Sequence, residues 1–374
     1  MAVSKRAYSD ATAARPSTII WLPLLAALRW CRSNSTQGRG VVCTATVHEQ
    51  FRSSSPWQGI GKHVDAVGRE GICRSALMKQ TQSFLIERFA QAGIRPRTEL
   101  GQNFLIDQNL LRVLVEAARL EPDDVVLEVG TGTGGLTALV APKVAAVVTV
   151  EIDPHLFHLA QEQLAQFTNV TMLQIDALQS KNRLNPQMLA AVEEQLARWP
   201  QRRLKMVSNL PYHVATPVLT NLLALHAPPQ QMTVTIQKEL ADRVVARPGS
   251  KDYGALSVWI QSQCRAEILR VLPPDVFWPR PKVDSAFLQI TLDPQLRQRL
   301  TDRDFFHEFV RSIFCHRRKF LRSELASAFK KQLDKQQIDR LLAQLEIEPS
   351  VRAEDLPVET LIRLSEAVRQ ALGS

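Results

Sequence analysis

The sequence predicts an α/β protein: an open, doubly wound sheet followed by a small C-terminal helical domain. Three observations predict it. A buried-strand run, Val125-Val126-Leu127-Glu128-Val129, ends in Gly130-Thr131-Gly132-Thr133-Gly134-Gly135 and leads into a helix and a second strand. Further short apolar runs at Val170–Ile175, Leu204–Ser208, Met232–Gln237 and Ala286–Leu292 are interleaved with helical stretches, as in a largely parallel sheet. From Asp302 onwards the pattern is helical throughout.

Residues 1–77 have a different texture. They are rich in Ser, Arg and Gly, lack sustained periodicity, and carry ten basic against four acidic residues. They therefore account for +6 of the formal net charge of +9, so overall charge says little about the folded part. Their one apolar run, Ile19–Leu28, is short for a membrane span, and Arg29-Trp30-Cys31-Arg32 follows it in place of a small-residue cleavage site. We expect a disordered or misannotated extension with Met78 as the true start; a signal or organelle-targeting segment is the alternative. Cys31, Cys43 and Cys73 lie in it and only Cys264 and Cys315 beyond it. No CxxC or Cys/His ligand spacing appears, so neither a disulfide framework nor a zinc site is indicated, and a reducing compartment fits best. A composition of 45% hydrophobic and 22% charged residues reads as soluble and globular.

Two domains are expected after the leader, residues 78–292 and 293–374. Phe84, Leu85, Arg88 and Phe89 fall at helical spacing. Gly101-Gln102-Asn103-Phe104-Leu105-Ile106-Asp107 precedes a helix over Leu110–Ala118, with Asp107 as its N-cap. After the glycine turn come a helix, Leu136–Ala141, a strand, Ala146–Val150, and then Glu151-Ile152-Asp153. An acid about 20 positions after the first glycine suits an adenosine cofactor: the glycines admit its backbone-close approach, and Glu151 can accept from both ribose hydroxyls. A solvated acid after an ordinary tight turn is the bland alternative. Asp176, after the strand Val170–Ile175, stands where a carboxylate could take an adenine amine; a helix N-cap is its structural alternative. Residues Leu178–Arg203 read as a polar, helical stretch with little chemical content.

The strand Leu204–Ser208 then delivers Asn209-Leu210-Pro211-Tyr212. Proline fixes its own φ and biases Leu210 towards an extended conformation, which can aim the Asn209 amide oxygen and the Leu210 carbonyl at one spot beside the Tyr212 ring. Two acceptors and an aromatic face suit a planar base with an exocyclic amine. Beyond it we expect a helix over Pro217–Leu225, a strand over Met232–Gln237, a helix after Gln237-Lys238-Glu239 and a basic loop from Arg247 to Gly254. A later strand precedes Phe277-Trp278-Pro279-Arg280-Pro281-Lys282-Val283-Asp284-Ser285, and Ala286–Leu292 closes the sheet. Phe305, Phe306, Phe309 and Ile313 mark a core-facing helix. His316-Arg317-Arg318-Lys319 and Arg322 form a positive patch, either a solvated face or a phosphate contact.

A glycine turn plus an acid fits NAD or S-adenosylmethionine; an amine-binding turn after the fourth strand has a use only in an amino-methyltransferase. In order, GQNFLID, LEVGTGTGGLT, VEID, DAL, NLPY, QKELADRV and FWPRPKVDS resemble the ribosomal small-subunit RNA adenine N6,N6-dimethyltransferases, over about residues 80–374. The resemblance implies a Rossmann-like S-adenosylmethionine-dependent methyltransferase domain and a helical RNA-binding domain. It implies a cofactor site at Asn103, Leu105, Gly130, Gly132, Glu151, Asp176 and Asn209. Asn209, Leu210 and Tyr212 would hold the target adenine, with Phe277 on its other face, and Arg317, Arg318, Lys319 and Arg322 would contact RNA. The implied partner is 16S rRNA in the immature small ribosomal subunit, met in the cytoplasm by a monomer with no metal and no membrane attachment. The chain departs from the pattern after NLPY, where His213-Val214-Ala215-Thr216 replace Asn-Ile-Ser-Thr, and in the long Leu178–Arg203 segment. A large-subunit resistance dimethylase and a non-catalytic assembly factor are the other readings.

Overall fold

The computed structural model describes residues 82–373; what was expected of residues 1–77 and of Met78 lies outside them. Seven strands form the main sheet: β1 (Asp124–Val129), β2 (Ala146–Val150), β3 (Val170–Leu173), β4 (Arg203–Asn209), β5 (Gln231–Gln237), β6 (Cys264–Leu272) and β7 (Ser285–Leu292). Their spatial order is β3-β2-β1-β4-β5-β7-β6. The first five run parallel, and β7 is antiparallel to both its neighbours. This is the Rossmann-like, doubly wound sheet that the strand–helix alternation predicts.

Helices before and between the parallel strands are α1 (Gln82–Gln91), α2 (Gln108–Ala117), α3 (Gly135–Val140), α4 (Pro154–Leu164), α5 (Pro186–Ala197) and α6 (Tyr212–Ala224). Those that follow are α7 (Lys238–Val245), α8 (Ala255–Gln261), α9 (Pro294–Gln298), α10 (Arg303–Ile313), α11 (Leu321–Ala328), α12 (Lys335–Gln344) and α13 (Val358–Ala371). Side-chain caps start several of them where the sequence puts an Asp or Asn: Asp107 accepts from the Asn109 and Leu110 amides at the head of α2, and Asp153 does the same for α4.

Every residue of β1 and β2 is buried, as expected of strands covered on both faces. One apolar core runs from these strands under α6 and α8 into α10–α13, where Phe306, Phe309, Val310 and Ile313 are buried. The stripe at the start of the helical region is thus a core face, with Phe305 only half-buried. At the amino ends of the strands Asp124, fully buried, pairs with Lys205 Nζ at 2.8 Å and with Arg203 at 3.2 Å. Lys205 also donates to the Arg119 carbonyl at 2.6 Å, so the buried ammonium has several oxygens around it.

Three local expectations need correction. The stretch after Leu178 opens with a small hairpin, Leu178–Ser180 against Arg183–Leu184, before α5 begins at Pro186. The helix expected from Pro217 starts at Tyr212 and carries Pro217 inside it, because Pro211, at φ −58° and ψ 130°, already sets the entry. Lastly, β7 does not close the sheet; it lies between β5 and β6 and is buried over six of its eight residues, while β6 is the edge, buried only at its two ends, Cys264 and Leu272.

The ladder between β1 and β4 runs from Asp124↔Arg203 to Leu127↔Met206 and stops there. Beyond it the Val129 amide donates to the buried Ser208 hydroxyl at 2.9 Å, so the donor freed by the divergence is satisfied by a side chain. The strand order reverses between these two strands, and their carboxyl ends open a crevice at the switch point.

Candidate active site

Four of the five parallel strands contribute their carboxyl ends to this crevice. From β1 comes the glycine turn, from β2 Glu151 and Ile152, from β3 Ile175 and Asp176, and from β4 Asn209, Leu210, Pro211 and Tyr212; Gln102, Asn103 and Phe104 close it from the amino-terminal side. The last group is held there by a two-residue antiparallel ladder, Phe104↔Trp278 and Leu105↔Phe277. Phe89 packs edge-on against both Phe104 and Trp278, with centroids 5.4 and 5.1 Å away.

The glycine turn is conformationally demanding. Gly130, Gly132 and Gly134 all have positive φ (86°, 57° and 83°). A Cβ on Gly130 would stand 3.2 Å from the Pro211 ring, a contact tight enough to push on the NLPY segment, and the positive φ adds backbone strain. The Gly132 amide donates to Glu151 Oε2 at 2.8 Å, and the Asp153 amide donates to Oε1 at 3.0 Å. These bonds fix the carboxylate while leaving lone pairs on both oxygens. Burial raises the Glu151 pKa, with the Asp153 charge adding to it and the backbone donors opposing it. Asp176 is exposed and accepts from the Leu178 amide at 2.8 Å. It turns the chain into the hairpin and does not cap a helix, and it lines the crevice.

Asn209 sits opposite. Its Nδ2 donates to the Asn103 carbonyl at 2.8 Å. A carbonyl can only accept, so this contact fixes which end of the amide faces Asn103 and turns Oδ1 away as an acceptor. The Leu210 amide donates to the Thr235 carbonyl, and its own carbonyl takes no backbone hydrogen bond among the described residues. The Tyr212 ring is half-buried, anchored through its hydroxyl to Ser285 Oγ at 2.7 Å, and its pKa is raised by burial. One strand end therefore offers two acceptors and a fixed aromatic face.

Beneath the turn lies Glu128, almost fully buried, hydrogen-bonded to the Thr137 hydroxyl and with burial pushing its pKa up to about 8. The neighbouring Thr131 and Thr149 hydroxyls bond to each other at 2.7 Å. A neutral carboxyl and a pair of threonines replace charge under the glycine turn.

The structure gathers Asn103, Gly130, Gly132, Glu151, Asp176, Asn209, Leu210 and Tyr212 around one cavity. Leu105 and Phe277 do not line it. Their ladder partnership places both in a core cluster with Leu272, Val207 and Phe287, at 4% and 2% exposure, so Phe277 presents no free face for a base. Missing from the sequence reading are Gln102 and Ile152. Gln102 is buried, accepts from the Arg97 amide and donates to Asp153, bracing the loop behind Glu151. Ile152 is 47% exposed on the cavity wall; an apolar residue between two acids directly after a strand is the signal that marks it. The basic patch lies in the helical region: Arg317 pairs with Glu354 at 2.8 Å and Arg322 forms a two-point pair with Asp339.

Residues 93–370 match the family model described as ribosomal RNA adenine dimethylase. The chain belongs to that family. Relatives named ribosomal RNA small subunit methyltransferase A include one from Lactiplantibacillus plantarum, 40% identical over 75% of this chain and 92% of its own length. Another, from Geobacillus kaustophilus, is 36% identical over 77% and 95%. Among solved structures, a dimethyladenosine transferase from Plasmodium falciparum superposes with a TM-score of 0.58 at 21% identity, covering 71% of this chain and 97% of that one, which supports the fold. As a member of the ribosomal RNA adenine dimethylase family the protein is a methyltransferase enzyme. Among the described residues no helix is long and apolar enough to cross a membrane.

Proposed function

We propose that the protein uses S-adenosylmethionine to dimethylate N6 of adenines in the RNA of the immature small ribosomal subunit, 16S rRNA, acting as a monomer in the cytoplasm. The observation that carries the reading is the Asn209–Asn103 contact, which leaves Asn209 Oδ1 as a fixed acceptor beside the Leu210 carbonyl and the Tyr212 ring. The curated relatives named for the small subunit support the choice of RNA.

The residues present fit the cofactor. Glycines 130 and 132 leave backbone room, Glu151 presents fixed lone pairs for ribose hydroxyls, Ile152 offers an apolar wall, and Asp176 can accept from an adenine amine. The bound cofactor supplies an electrophilic methyl group. The protein's own residues do the rest. The N6 lone pair of adenine is delocalised into the ring and is a weak nucleophile. Acceptors at Asn209 Oδ1 and the Leu210 carbonyl hold the two amine hydrogens and favour a more pyramidal nitrogen. Tyr212 stacks on a base drawn out of its helix, and the Ser285 bond keeps that ring from turning with it. Positioning supplies much of the rate, and no strong general base is required, since the alkylated nitrogen loses its proton readily. For the second methylation one amine hydrogen remains, held by one of the two acceptors.

The test is methyl transfer from labelled S-adenosylmethionine to small subunits lacking dimethyladenine, with large-subunit RNA in parallel, followed by nucleoside digestion. Dimethyladenine in small-subunit RNA is expected. Label confined to large-subunit RNA, or RNA binding with no transfer, would overturn the reading.

A further inference from the structure

The loop between α10 and α11 exposes six consecutive residues, Cys315 to Phe320. Two of its cations are neutralised within the protein: Arg317 by Glu354, and His316, when protonated, by the buried Glu324. Arg322, just inside α11, is held by Asp339. Arg318 and Lys319 pair with no carboxylate among the described residues. The free positive charge of the loop therefore lies on the two residues that directly precede Phe320.

Phe320 presents about half of its side chain to solvent. It is 51% exposed and belongs to no apolar cluster among the described residues. It also occupies the N-cap position of α11, in extended geometry (φ −68°, ψ 148°), with no side-chain cap. Elsewhere Asp107, Asp153, Asn185, Asp293, Asp302 and Asp334 cap their helices with side-chain oxygens. A phenylalanine there forgoes a side-chain cap and leaves a large apolar surface in water, two costs that a bound partner would offset. A nucleotide matches what is offered: phosphate oxygens for the two free cations and a flat π-face for the ring.

We propose that Phe320 is a base-stacking contact for substrate RNA, outside the methyl-transfer cavity, with an unpaired nucleotide lying on its exposed face. This rests on the reading that the protein acts on ribosomal RNA and adds a stacking contact to it.

The test measures binding of the full chain to a small-subunit rRNA transcript across a salt series, for wild type, Phe320→Thr, Phe320→Trp and Arg318→Ala. Phe320→Thr supplies a capping hydroxyl, so its thermal midpoint should stay level or rise while RNA affinity falls about tenfold, within the range for one base on an aromatic ring. The slope of log affinity against log salt should be unchanged for Phe320→Thr and shallower for Arg318→Ala. Phe320→Trp should bind as well as wild type or better. Equal RNA affinity of Phe320→Thr and wild type, with wild type binding well, would overturn this proposal and leave the parent reading standing. Failure of wild type to bind the transcript, with cofactor binding intact, would overturn both.

Discussion

The Tyr212 hydroxyl and Ser285 Oγ lie 2.7 Å apart, joining the first residue of α6 to the first residue of β7. Ser285 is fully buried, so the bond ties a half-buried ring to the buried start of β7. Tyr212→Phe keeps the ring and loses the tether, and transfer should fall by about five- to tenfold, the worth of one hydrogen bond. Tyr212→Ala should cost at least about 100-fold, since the stacking face itself is gone. Ser285→Ala should match Tyr212→Phe, and the double variant should be no worse than either single, which a double-mutant cycle on turnover will read directly.

Asn209→Ala removes the side-chain acceptor but not the Leu210 carbonyl. Transfer should drop by at least about 100-fold, in line with deleting one preorganised polar group at a reacting centre. Cofactor affinity, measured by titration calorimetry, should largely survive. Wild-type turnover in this variant would remove Asn209 from the chemistry.

At the opposite end of the strands, Lys205→Met should lower stability by about 3 kcal/mol in urea titrations, because it leaves the buried Asp124 carboxylate with Arg203 as its one cation beside the Glu121 amide. Turnover of the folded fraction should be unchanged, since neither residue reaches the crevice.

Glu128 sets a pH dependence of known sign. Its pKa in the folded state is about 8 and in the unfolded chain is near the ordinary glutamate value, so the folded state binds the extra proton between them. Its contribution to stability is full below the unfolded value, and is lost progressively as pH rises through about 8. Glu128→Gln mimics the neutral carboxyl, so its thermal midpoint should flatten between pH 5 and 9 and exceed wild type at the alkaline end, which calorimetry across that window will measure.

What the sequence made legible was local and continuous. Runs such as Val125–Val129 and Ala146–Val150 announce buried parallel strands because no solvent face interrupts them, and the turn between them carries glycines where positive φ is needed. The cavity residues followed, because strand ends bring Glu151, Asp176 and Asn209 together whatever lies between. Contacts between distant segments were not legible. The Leu105↔Phe277 pairing that buries Phe277 links residues far apart in the chain, as do the pairs that occupy Arg317 and Arg322. Helix α8 escaped notice because five of its seven residues are buried and no polar face marks its period.

The orientation of the Asn209 amide is set from outside its own strand. Asn103 reaches it only because the Phe104–Leu105 segment is latched to Phe277–Trp278, both lying outside the main sheet. The sheet can therefore be complete, with every parallel strand in place, before the amide is aimed. A change that loosens this latch should therefore lower turnover while leaving helix and strand content unchanged. The active fraction of a preparation is then a quantity to be titrated, separate from the folded fraction.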